Sequence, residues 1–392
     1  MKAGGSKLSK SILNNLEKNA QILVKSRKDL AKYSKDEVMI KGQIELEAEG
    51  FTKPLLYKSI SELKRISVPL ITRYTEIALK DNQNEEVTEE IQLLQHQILI
   101  LEKAIQIKQK QNRQLSHNME RNFIDHPFIS SSSPNEETLQ KQRKKDGSLE
   151  VNKTGFRNMH YNNSNGKLLL PTDARNMLGI FKLWEQKGKS QSFEFTFNEL
   201  LKCVQVEAIG GEYNNLFDSL SNLGQTSIVM EEFFDAEAKK RMRTKIHNPF
   251  QDMEIDRTTN TVSVMLSNNL HKNLLIGNVV PISISLFNDL ASPTSRALYL
   301  ILVNKAKDGD LMLDVEQLLP HLGLHSSEKS KAYSHMQRAF EELQSFDVIQ
   351  SFDIVRKERR VPVQVRFIPS DWLLQADSMD NQLQFNTPTL LG

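Results

Sequence analysis

The feature that most constrains this chain is an internal repeat. Two stretches, 167–270 and 280–370, pass through the same order of elements. Each opens with a largely apolar helix and runs through a short strand into a second helix. A third, amphipathic helix follows, and two strands of alternating apolar residues close the copy. A chain that repeats this order must bury helices under a hairpin twice over.

The first opening helix is read at Asp173–Lys187, where Met177, Ile180, Phe181 and Trp184 fall at helical spacing and Leu178 and Leu183 widen the stripe. The second is read at Pro293–Lys305, with Leu298, Ile301 and Leu302 on one side. Asp173 and Ser292 stand where N-caps belong, and Pro293 suits a first helical position. Arg175 and Arg296 fall at matching points. Next come Phe195-Thr-Phe-Asn-Glu-Leu-Leu and Leu311-Met-Leu-Asp-Val-Glu-Gln-Leu-Leu, each a short strand entering a helix, and Gly323 ends the second of these helices.

The third helices differ in charge. In copy two, Ser330–Ser345 buries Ala332, Met336, Phe340 and Leu343, which leaves Lys331, Ser334, His335 and Arg338 on one face. Cationic and small polar side chains on one helix face suit a DNA major groove. In copy one, Glu212–Asn222 buries Tyr213, Leu216, Phe217 and Leu220 and offers Asn214, Asp218 and Ser221, with Glu212 nearby. Carboxylates beside phosphate are unfavourable, so copy one is the poorer reader and is expected mainly to support an interface.

Strands follow at Val348–Phe352 and Val361–Ile368 in copy two, with Arg356, Lys357, Arg359 and Arg360 in the turn and Arg366 on the return strand. In copy one the strands are read at Ser227–Phe234 and Thr261–Ser267, and the insert between them carries Lys239, Lys240, Arg241, Arg243 and Lys245. Three helices followed by a basic hairpin spell a winged helix, and its wing is well placed to meet a phosphate backbone. Basic hairpin tips also serve merely as solvated edges, and winged helices also bind proteins. The fold expected is α+β and mostly helical: winged-helix domains at 166–278 and 279–372, a polar tail at 373–392, and a helical N-terminal region with a coiled coil.

That N-terminal region, 1–82, is basic and helical in pattern, with Ile12, Leu16, Ala20, Leu23 and Leu30 apolar along Leu8–Tyr33. Ser59–Lys80 reads as a helix-turn-helix about Ser67-Val-Pro, and equally as a helix broken at Pro69 in a small bundle. Over 83–121, Val87, Ile91, Leu94, Ile98, Leu101 and Ile105 step by four and three, a heptad seam that predicts a coiled coil and self-association. The same seam serves an intramolecular hairpin packed on Leu8–Leu30. Periodicity is lost over 122–165, where Ser130-Ser-Ser-Ser-Pro and Asn162-Asn-Ser-Asn-Gly predict a linker.

With 392 residues the chain has room for two or three domains, and a net charge of +2 leaves local basic patches to decide any affinity for nucleic acid. The one cysteine, Cys203, excludes an internal disulfide and a multi-cysteine zinc cluster. His321 and His325 lie four apart, but Gly323 turns the chain between them, so no metal or other cofactor is expected. No phosphate loop or His-Glu-x-x-His spacing is present, and no enzyme is expected. No apolar run reaches membrane-spanning length and the N-terminus lacks a secretory core, so a cytoplasmic protein is expected.

Copy two, from Pro281-Ile-Ser-Ile-Ser-Leu-Phe through Ser292-Pro-Thr-Ser-Arg-Ala-Leu-Tyr to Leu318-Leu-Pro-His-Leu-Gly-Leu, resembles the winged-helix replication initiator proteins of plasmids. The resemblance covers 167–370; the N-terminal third departs from compact members of that family. It implies a protein that binds repeated double-stranded DNA sites at an origin, helps open the duplex and recruits host replication proteins, as a homodimer or low-order oligomer in some states. By position, Lys331, Ser334, His335 and Arg338 would read bases, and Arg356, Lys357, Arg359 and Arg360 would hold the backbone. A transcription regulator of the same fold, and an adaptor whose winged helices bind proteins, are the competing readings.

Overall fold

The computed structural model describes residues 4–79, 85–126, 128–131, 140, 143–153, 159–209, 211–235, 240–307, 311–324, 329–357 and 361–374. The chain divides into two compact units, Met1–Asn112 and Arg113–Gly392.

The first unit is a bundle of α1 (Gly4–Tyr33), α2 (Glu37–Gly50), α3 (Ile60–Ala78) and α4 (Glu85–Asn112), with a 3-10 turn at Lys53–Leu55. Its core draws Leu16 and Leu23 from α1, Ile40, Ile44 and Ala48 from α2, Leu63 from α3, and Ile100, Leu101 and Ala104 from α4. The side chain of Asp36 caps α2 by accepting from the N–H groups of Val38 and Met39. Ser59 and Glu62 form a capping box at the start of α3.

Two expectations change here. Residues 59–79 form no helix-turn-helix, because α3 runs unbroken through Pro69. Leu63, Ile66 and Leu70 keep their spacing across the proline and pack into the bundle, which outweighs the lost N–H. The heptad seam of α4 is not a free stripe either. Leu94 and Leu101 are buried, and Leu101 and Ile105 pack with residues of α1, α2 and α3; Val87, Ile91 and Ile98 are half-buried. The bundle uses the seam inside the chain, so the expected boundary at 82/83 falls within one unit.

The second unit opens with β1 (His117–Glu120) and α5 (Arg121–Asp125). β1 pairs antiparallel with β9 (Val279–Ile282), from His117 opposite Ile282 to Glu120 opposite Val279. A hairpin of β2 (Leu149–Lys153) and β3 (Met159–Asn163) joins β5 (Thr226–Asp235) and β6 (Lys240–His247) in a four-stranded sheet of order β2-β3-β5-β6. The described part of 122–165 is therefore not a linker. Phe123, Ile124, Phe128, Ile129, Leu149 and Tyr161 are core residues, too scattered among polar neighbours to show a period. Asn163 donates to the Asn222 side chain at 2.7 Å and to Thr226 Oγ1 at 2.8 Å, so burial leaves its amide partnered.

The expected repeat stands out in the topology. Its first copy is α6 (Pro171–Gln186), β4 (Ser192–Thr196), α7 (Phe197–Cys203), α8 (Glu212–Gly224) and a hairpin of β7 (Phe250–Asp256) and β8 (Thr261–Leu266). α9 (Asn268–Leu275), β9 and α10 (Ile284–Asp289) lead to the second copy. That copy is α11 (Pro293–Lys307), β10 (Met312–Asp314), α12 (Val315–His321), α13 (Lys329–Ser345) and a hairpin of β11 (Ile349–Arg356) and β12 (Pro362–Pro369). The three-stranded sheets have orders β4-β8-β7 and β10-β12-β11, so in both copies the strand after the first helix pairs with the returning hairpin strand.

Most core assignments hold. Met177, Ile180, Phe181, Trp184, Leu298, Ile301, Leu302, Ala332, Met336, Phe340 and Leu343 are all buried. Ser292 Oγ accepts from the Thr294 N–H at 3.2 Å, and Gly323 takes a positive φ of 70° at the end of α12. Asp173 is not the N-cap of α6 but its third residue. It accepts from the Leu170 N–H at 2.7 Å and from Ser219 Oγ at 2.6 Å, tying α6 to α8. The outgoing hairpin strand of copy one is also relocated, to β7. The segment expected in that role, β5, pairs with β3 and β6, because Met253 and Ile255 on β7 give β8 its half-buried neighbour.

Candidate nucleic-acid interface

The strongest grouping of the expected residues lies on the second copy. Lys331, Ser334, His335 and Arg338 are all exposed on α13, opposite buried Ala332, Met336, Ala339 and Phe340. Four contacts hold the helix in place. The Glu342 carboxylate accepts from the Ala291 N–H at 2.6 Å and from Ser295 Oγ at 2.5 Å, fixing α13 to the start of α11. The ring of Phe340 stacks on Phe352 of β11 at 5.2 Å. Beyond the helix, the Val348 N–H donates to the Leu343 carbonyl at 3.0 Å, so the chain turns directly into the hairpin.

Between α13 and the hairpin runs an open groove of about 500 Å³. Tyr333, Ser334, Gln337, Arg338 and Glu341 line it from the helix, and Ile354, Arg356, Val361 and Pro362 from the hairpin. Ile354 and Arg356 lie two apart on β11 and so share the side that lines the groove. Arg356 and Lys357 are both exposed. Helix and hairpin thus converge on one polar, cationic concavity, a surface able to accept a phosphate backbone.

The other expected contacts are dispersed. Arg366 points away from the groove, on the outer face of the three-stranded sheet, across from Met312 and Asp353 and beside exposed Ile368. Arg359, Arg360 and Lys239 lie outside the described residues, as does His325. Lys240 is exposed at the start of β6. Arg241, Arg243 and Lys245 occupy alternate positions of that strand, which is the edge of the four-stranded sheet and not a wing of copy one.

Copy one presents a different surface. Its hairpin turn carries Arg257, which the sequence reading passed over. The guanidinium lies 4.5 Å from the Phe217 ring centre and donates to Asn214 Oδ1 at 3.3 Å. The one signal for it was a lone arginine between two strands, and its partners come from α8. On the outer sheet face, exposed Glu194 and Glu254 flank Ser263, and Asp252 and Asp256 follow on β7. With Asp218 exposed on α8, copy one meets solvent with carboxylates where copy two offers arginine and lysine.

Several titratable groups sit inside the unit. Glu120 is buried, and burial pushes its carboxyl up to about 7. Asn122, Asn273 and Asn278 amides donate to it at 2.7, 2.8 and 3.0 Å and oppose that rise. Burial lowers His117 to about 4 and raises Cys203 to about 11. Cys203 Sγ lies 3.6 Å from His117 Nε2. A thiol held protonated beside a neutral imidazole is a packed pair rather than an activated nucleophile. No group of three metal-ligating side chains occurs among the described residues, and no described helix is long and apolar enough to cross a membrane.

Of the comparisons with known proteins, a family model bears on the resemblance read from copy two. No curated protein matches the chain. Among solved structures, a selenomethionine derivative of domains 2 and 3 of RctB aligns with a TM-score of 0.43 at 9% identity, over 63% of this chain and 98% of that one. A second structure of RctB domains 2–3 gives 0.42 at 10%, over 64% and 98%. The Pi initiator protein in complex with iteron DNA gives 0.39 at 12%, over 58% and 99%. Residues 177–344, from within α6 almost to the end of α13, match the family model of replication initiator protein A, and over this segment the chain is similar to the replication initiators.

Proposed function

We propose that this chain is a sequence-specific DNA-binding replication initiator whose two repeats are tandem winged helices. One observation carries the reading: α13 and its hairpin bring Arg338 and Arg356 to one open groove, inside and just beyond the segment matched to replication initiator protein A. α13 enters the major groove, where Lys331, Ser334, His335 and Arg338 meet base edges. Arg356 and Lys357 hold the adjacent phosphates. The carboxylates of copy one disfavour phosphate, so copy one serves a protein contact, either with a second initiator or with a host replication protein.

Binding at repeated origin sites concentrates the protein along the duplex, and favourable contacts offset the cost of bending and unstacking it. Every step is binding and deformation, so the mechanism needs neither catalytic residues nor a cofactor, and the place of action is the cytoplasm. The test is a footprint of the purified protein on the DNA flanking its gene, at two salt concentrations. Protection of directly repeated sites, weakening steeply with salt, supports the initiator. Protection of a single promoter palindrome transfers the reading to a transcription regulator. Absence of protection at either salt overturns DNA recognition and leaves an adaptor.

A further inference from the structure

The N-terminal bundle is not closed along its whole length. An open cavity of about 520 Å³ lies among α1, α2 and α4, within the usual size of a small-molecule site. Ile44 and Leu99 give it an apolar wall, and Val38, 82% exposed, stands at its mouth.

One polar group faces this cavity from the interior. His96 lines it although the residue is only 3% exposed. Its Nδ1 lies 2.6 Å from the carbonyl of Gln92, one turn back on α4. A carbonyl can only accept, so Nδ1 carries the proton. Burial holds the ring below the usual histidine range, so it is neutral at pH 7 and Nε2 keeps a lone pair. The bond to the backbone of its own helix turns the Nε2 edge away from that helix. Nε2 has no hydrogen-bond partner among the described residues. Buried acceptors are seldom left so, and the cavity admits a donor from outside the chain.

The charges around the cavity cancel. Arg27 pairs with Glu37 at 3.4 Å, and Lys103, just beyond the lining, with Glu45 at 2.7 Å. Lys41 and Glu102 add one charge of each sign. Gln95 donates to the Tyr74 hydroxyl at 3.2 Å. A mouth without net charge does not concentrate anions, which disfavours phosphate and nucleic acid as occupants.

We propose that this cavity binds a small uncharged aromatic molecule with one N–H or O–H donor, its ring against Ile44 and Leu99 and its donor on His96 Nε2. A rigid ring suits the wall because it buries apolar area with little loss of its own freedom. The ligand touches three helices of the folded bundle, so occupancy stabilises this unit by mass action. The proposal does not rest on the DNA-binding reading, and its test is made without DNA.

The probe is indole. Its control is benzofuran, the same bicycle with an ether oxygen in place of the N–H. Each is titrated into the full chain carrying isotope-labelled methyl groups. Indole should shift the methyls of Val38, Ile44 and Leu99 saturably. Benzofuran should bind about tenfold more weakly, because its oxygen sets a lone pair against that of Nε2. His96→Phe keeps a ring and removes the acceptor, so it should bind the two ligands alike. The comparison on the native chain decides the matter even where His96→Phe does not fold. Absence of saturation up to the solubility of indole overturns the proposal. So do equal affinities of the native chain for the two ligands, shifts confined to methyls outside the cavity, or a folded His96→Phe chain that still prefers indole.

Discussion

Arg338, midway along α13, and Arg356, at the irregular end of β11, line the same groove although they belong to different elements. Two guanidinium groups that share one concavity raise its local potential, and Glu341 on the same wall relieves only part of it. One arginine projects from the helix and the other from the hairpin, so the proposed function gives them different tasks.

Arg338→Ala should cost about 1–3 kcal/mol in binding to the specific site and less on unrelated DNA, as expected for a base contact. Competition titrations against target and random duplexes measure the difference. Equal losses on both would move Arg338 from base reading to phosphate holding.

Arg356→Ala and Lys357→Ala should weaken binding to all duplexes alike. Each should also lower the slope of log affinity against log salt by about 1. Titrations at several salt concentrations give that slope, and an unchanged value would place these side chains away from the phosphates.

Leu101 is fully buried in the N-terminal bundle. Leu101→Ala should leave a cavity and cost about 2–5 kcal/mol of stability in that unit, with the sedimentation of the folded chain unchanged. Denaturant titration and sedimentation separate the two quantities. A loss of association with stability intact would return the α4 seam to an interface between chains.

At Gly179 an added Cβ would collide with Val204 Cγ1 and stand 2.6 Å from Leu200 Cδ1, because α6 crosses closely over α7 and its end. Gly179→Ala should therefore destabilise by about 1–3 kcal/mol, despite the better helix propensity of alanine. A melting temperature equal to or above that of the native chain would show that this crossing is looser than the structure has it.

Burial raises the Glu120 carboxyl from 4.5 to about 7. Between these values the folded chain keeps a proton that the unfolded chain has released. Stability should then fall as pH rises through this window and level off above it, by at most about 3 kcal/mol. Glu120→Gln should flatten that fall. Urea unfolding followed by the fluorescence of Trp184 and Trp372 at pH 5 and pH 8 reads it, and an identical fall in both proteins would sink the assignment.

The sequence by itself determined the elements whose burial is periodic. α6, α11 and α13 put an apolar residue into the core every three or four positions, so the exposed face of α13 followed from its complement. Ser292 and Gly323 marked helix ends because cap and turn chemistry is local. Tertiary structure alone decided which strands pair and which faces stay open. β5 reads as well for a wing as for a strand beside β3, and only the hydrophobic inner side of β7 settles the pairing. The core residues at 117–131 and 149–163 gave no period, since each borrows its apolar neighbours from distant segments. The α4 seam looked self-sufficient until α1, α2 and α3 were packed on it. Periodicity reports that a face is buried, but what buries it depends on contacts distant in the chain.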